Sequence, residues 1–182
     1  GLKPTNDAQC QHFHTQYYAF NAIPGGGLFV VKNFRATPEI VNVVQDSTVQ
    51  NGRLQGQKLQ GGAYLSPDLS FDGTTILFSY TENKEHRWAW SDRTSWHIFK
   101  AGVDGSALTQ LTDSPHDDFD AFWLPNGRIV FLSERRGGYI RCFGGLDVPQ
   151  HTLHSMKADG SDIYPLSYFE TGEFNPSVNN DG

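Results

Sequence analysis

The chain has 182 residues, 37% of them hydrophobic and 13% aromatic, with nineteen glycines and nine prolines. It is long enough for one domain with a sizeable core, and a mixture this rich in turn formers and aromatics suits an all-β protein of short strands. The formal charge of −6, with no basic run, argues against a nucleic-acid partner, and no segment approaches the ~18 consecutive apolar residues of a membrane-spanning helix.

The sequence lacks an initiator Met and a signal-peptide apolar region, which suggests a removed leader or a piece of a longer chain. Two cysteines, Cys10 and Cys142, are too few for a disulfide framework and leave the redox compartment open. Residues 1–27 are polar and aromatic, end in Gly25-Gly26-Gly27, and read as an irregular arm. Residues 28–45 read as the last hairpin of a β-sheet unit. Within them TPEIVNVVQ (37–45) carries a helix signal, Thr37 as cap with Pro38 at the first position. Its many β-branched residues favour a strand instead. Residues 46–62 form a Gln- and Gly-rich connector.

From there the chain repeats itself. SPDLSFDGTTILFSY (66–80) recurs as DDFDAFWLPNGRIVF (117–131) and begins again as NPSVNNDG (175–182), with turn glycines Gly73, Gly127 and Gly182 spaced 54 and 55 residues apart. WHIFKAGVDGSALTQLT (96–112) recurs as HTLHSMKADGSDIYPLS (151–167), which places Asp104-Gly105-Ser106 on Asp159-Gly160-Ser161, 55 residues on. A fixed period of this length marks a repeat architecture. Each unit reads as four strands with Asp-Gly or Asn-Gly turns, the blade of a β-propeller. Ile76-Leu77-Phe78 and Ile129-Val130-Phe131 are apolar on consecutive residues, which a strand needs only when both faces are covered. The fold expected is therefore all-β: a partial β-propeller with full blades at 64–112 and 119–167 and the start of another at 174–182. Closed propellers have about four to eight blades, so further blades are expected elsewhere.

Both long insertions, 81–95 and 134–151, join the second and third strands of a blade, and the blade connection 112–120 opens on the same side. His86, Arg87, Trp88, His116, Asp118, Arg135, Arg136, Tyr139 and Arg141 are therefore expected on one end of the disc, with Trp90, Arg93 and Asp117, as a partner-contacting face. Cys142 lies in a Gly- and Arg-rich loop whose cations favour a thiolate. It reads as a metal ligand, a disulfide partner of Cys10 or an inert thiol. His12 and His14 alternate as paired zinc ligands on a strand would, but solvent-facing or structural histidines fit as well. His97 and His154 fall inside strands, as packing residues. Asp113, Asp117, Asp118 and Asp120 have the chemistry for Ca²⁺ but not the spacing of a calcium loop, and such residues commonly cap turns. Trp88 and Trp90 suit stacking on sugars or packing on another domain. No CxxCH, GxSxG, HExxH or P-loop motif occurs, so no self-sufficient catalytic constellation is evident.

The blade signature, with PDLSFDG, ADGSDI and a closing LT or LS, resembles TolB-type propeller repeats. More specifically, IPGGGLFVV, SPDLSFDGTTILFSY and above all NGRIVFLSERRGGYIRC resemble the propeller region of the hydrazine synthase alpha-subunit family, over roughly residues 23–182. The resemblance implies a secreted or periplasmic protein, a propeller placed ahead of c-type haem domains, and membership of a multi-subunit complex. It also implies a propeller cysteine that helps hold zinc beside a haem, matched here to Cys142. The haem motif is missing from this chain, so any haem would belong to other domains and no activity carries over. The expected role is a non-catalytic scaffold that docks the remaining blades, other domains and other subunits. A carbohydrate-active propeller of polysaccharide-lyase type, using His86 or His116, and a TolB-type interaction propeller are the alternatives.

Overall fold

A computed structural model describes residues 24–82, 95–140 and 149–179. Among the described residues there are ten strands, all in antiparallel sheets: β1 (Phe29–Lys32), β2 (Glu39–Asn42), β3 (Ala63–Leu69), β4 (Thr75–Thr81), β5 (His97–Gly102), β6 (Thr109–Gln110), β7 (Asp118–Trp123), β8 (Ile129–Ser133), β9 (Thr152–Met156) and β10 (Tyr164–Pro165). They form a two-stranded hairpin, β1-β2, and two four-stranded meanders, β3-β4-β5-β6 and β7-β8-β9-β10. The fold is all-β, two full blades of a partial propeller with pieces of neighbours on either side. Among the described residues no helix is long and apolar enough to cross a membrane. The ambiguous segment 37–45 contributes a strand, β2, whose Ile40 and Val41 pair with Val31 and Val30.

The consecutive apolar runs behave as two-faced strands. Ile76, Phe78 and Tyr80 of β4 point into a cluster with Leu28, Val43, Val44 and Phe99, whereas Leu77 points the other way. Leu77 meets Ile129 and Phe131 of β8, so one cluster is shared between the two blades. All seven residues of β4 and all five of β8 are at least half-covered, most of them fully. The connector 46–62 is more than a spacer. Val49, Leu54 and Leu59 are buried in the first cluster, and Asn51 exchanges hydrogen bonds of 2.8 and 3.0 Å with the Gln110 backbone, acting as a further partner for β6.

The turns repeat in detail. Asp104 Oδ1 accepts from Ser106 N–H and O–H at 2.9 and 2.6 Å, and Asp159 Oδ1 accepts from Ser161 at the same distances. The inner strands β3 and β7 each carry a bulge, with left-handed backbone at Ser66 (φ 48°) and Asp120 (φ 55°), and Asn175 (φ 47°) has the same conformation one repeat later. Segments following these three residues, Pro67–Leu69, Ala121–Trp123 and Pro176–Val178, line one cavity of about 440 Å³. Equivalent pieces of three successive units meeting around one space is what radial repetition about an axis produces. Between blades, Asp68 Oδ2 accepts from Trp123 N–H at 2.9 Å and Lys100 Nζ donates to the Ala158 carbonyl at 2.6 Å.

Candidate metal centre at the blade seam

The polar residues of the second blade collect where β7 begins, β8 ends and β9 begins. Asp117 precedes β7, Glu134 follows β8 and His151 precedes β9, and one ligand atom from each lies within 4.8 Å of the others. All three are buried, at 2%, 8% and 0% exposure. Backbone pairing brings them together. Glu134 N–H donates to the Asp117 carbonyl at 3.2 Å, and Ser133 and Thr152 face each other across β8 and β9. The carboxylates are then oriented by main-chain donors. Trp96 N–H donates to Asp117 Oδ1 at 2.7 Å, and Asp117 N–H donates to Glu134 Oε2 at 3.0 Å. That leaves Glu134 Oε1 directed at His151 Nε2, 3.5 Å away, with no hydrogen bond to a described residue. The His151 ring is gripped edge-on between Phe119 (4.7 Å) and Phe174 (5.8 Å).

An ion pair with a buried carboxylate lies beside this trio. Asp118, fully buried, receives Arg135 in a fork, Nε at 3.2 Å and Nη2 at 2.7 Å, together with Ser133 Oγ at 2.6 Å. Arg135 is thereby committed to Asp118. Asp117, Glu134 and His151 bring two carboxylates and one imidazole together, a donor set of oxygen and nitrogen able to hold a metal ion.

Burial holds His97 and His154 below the ordinary histidine range, opposed mainly by the Asp118 charge for His97 and by the Thr152 hydrogen bond for His154. His154 Nδ1 bonds the Thr152 carbonyl at 3.0 Å, as a packing histidine should, whereas His97 Nδ1 finds no acceptor among the described residues.

Of the residues expected on the loop face, Asp118 and Arg135 come together as an ion pair, Asp118 fully buried and the Arg135 side chain 24% exposed. His116 is half-buried, its N–H donating to Ser114 Oγ at 3.3 Å. Arg136 reaches the Phe169 carbonyl at 2.8 Å, and Tyr139 is 60% exposed. His86, Arg87, Trp88, Trp90, Arg93, Arg141 and Cys142, with Cys10, His12 and His14, lie outside the described residues. Asp117 belongs to the acidic run weighed for Ca²⁺, but its partners in the structure are Glu134 and His151, not Asp113 or Asp120. Glu134 and His151 were missed because they stand seventeen residues apart, at the two ends of an insertion. The signal was available: the ends of an insertion between paired strands must adjoin.

No protein-family model matches the chain, and no curated protein matches it.

Proposed function

We propose that this chain is a scaffold and docking segment of a secreted or periplasmic propeller protein of the hydrazine synthase alpha kind. It walls one side of a haem- or zinc-bearing site completed by other domains of the same parent, and it performs no catalysis of its own. The observation that carries the reading is the gathering of Asp117, Asp118, Glu134, Arg135 and His151 at the roots of the second insertion and the blade connection. Charged groups there sit on a rigid β scaffold, next to loops long enough to meet a partner. Cys142, in the same insertion, is the proposed zinc ligand of the completed site.

The test compares amide exchange in this chain alone and in the full parent protein. Slower exchange in peptides covering residues 83–94 and 134–148 of the parent supports docking, and unchanged exchange there rules it out. Zinc content of the parent should fall in Cys142→Ala, and an equal content would remove the cysteine from the site.

A further inference from the structure

We infer that Asp117, Glu134 and His151 form a zinc site of their own, built into the seam between the two blades. The internal repeat supplies a control. By strand register the matching positions of the preceding blade are Ala63, Thr81 and Trp96: Ala63 pairs with Thr81 as Asp117 pairs with Glu134, and Trp96 precedes β5 as His151 precedes β9. There the fold is built without a carboxylate or an imidazole, so the blade does not need them. Three positions that are otherwise apolar or neutral carry, together, three metal-ligating side chains.

The chemistry selects the ion. Ca²⁺ takes about six to eight oxygen ligands, whereas zinc is satisfied by three protein ligands of mixed nitrogen and oxygen with one open position. With zinc–ligand bonds of about 2.0–2.2 Å, neighbouring ligands stand roughly 3.4 Å apart, close to the 3.5 Å between Glu134 Oε1 and His151 Nε2. The main-chain N–H groups of Trp96 and Asp117 hold the two carboxylates as outer-shell donors do in metal sites.

The experiment loads the full chain with zinc, removes the excess and measures bound metal and the unfolding temperature. The expected result is one retained zinc per chain and a raised midpoint, both lost in Glu134→Gln and in Asp117→Asn, which preserve shape and the main-chain hydrogen bonds. Cobalt(II) loading should give the visible absorption of a four-coordinate oxygen–nitrogen site, absent from either variant. Retention of no zinc by the wild-type chain overturns the inference, as does equal retention by both variants with their far-ultraviolet circular dichroism unchanged. Should a variant fail to fold, the cobalt spectrum of the wild-type chain decides, and an octahedral spectrum overturns the site. This inference is independent of the docking reading: docking fails on amide exchange and its cysteine ligand on Cys142→Ala, whereas the site inferred here fails on Glu134→Gln and Asp117→Asn.

Discussion

An added Cβ at Gly105 would sit 1.9 Å from the Val43 carbonyl oxygen, in a backbone held at φ +84°. Gly73 has a similar φ of +71° but open space around it. The pair separates two costs of a side chain. Gly73→Ala should lose only the ~1–2 kcal/mol of the left-handed conformation. Gly105→Ala adds about 1–3 kcal/mol of overpacking against backbone, and the difference should appear as a lower urea midpoint. His97 makes the pH prediction at this scale. Its folded value lies below its unfolded one because burial disfavours the charged ring. The unfolded chain therefore binds the extra proton first, so stability is complete above about pH 6.5 and is lost as pH falls from there toward the folded value. A fall in unfolding temperature between pH 7.5 and 5.5, reduced in His97→Gln, is the expected outcome; an equal fall in the variant would assign the effect to other groups. The exposed Asp72, Asp104 and Asp159, held low by Ser and Thr hydrogen bonds, act only at more acidic pH.

Strands β4 and β8 are central because each is paired on both edges and covered on both faces. Leu77 and Phe131, both at 0% exposure, meet in the inter-blade cluster. Leu77→Ala should cost about 2–5 kcal/mol and Phe131→Ala about 3–5 kcal/mol. Phe71, 73% exposed in a turn, should cost within about 0.5 kcal/mol on the same change. Denaturant unfolding of the three variants checks the order. These runs were readable as two-faced strands before any coordinates, because apolar residues on consecutive positions have no other use in a short strand. The bulges at Ser66 and Asp120 were not, since neither position carries the glycine that usually announces left-handed backbone.

Across the molecule, neighbouring blades depend on one another in a line, as repeat units do. Amide exchange should be slowest in β4 and β8 and fastest at β1-β2, whose outward Phe29, Val31 and Ile40 are exposed. Uniform protection across all sheets would contradict this order. The connector 46–62 looked like a spacer because its composition is polar. Val49, Leu54 and Leu59 are spread too far apart to form a periodic face, yet each reaches the core from an irregular backbone. Asp118 shows the same limit: it is expected among the contact residues, and its carboxylate is fully buried against a partly exposed Arg135.

Strand order, turn positions and the repeat unit are local properties, written in period and turn chemistry, and the amino-acid order alone was sufficient for them. Asp117, Glu134 and His151 were a different matter. Glu134 and His151 adjoin as the two ends of one insertion, but that Asp117 joins them and that all three are buried follows only once β7 pairs with β8 and the preceding blade packs against them. Burial then decides their chemistry, because carboxylates and an imidazole removed from water must find a partner or a cation.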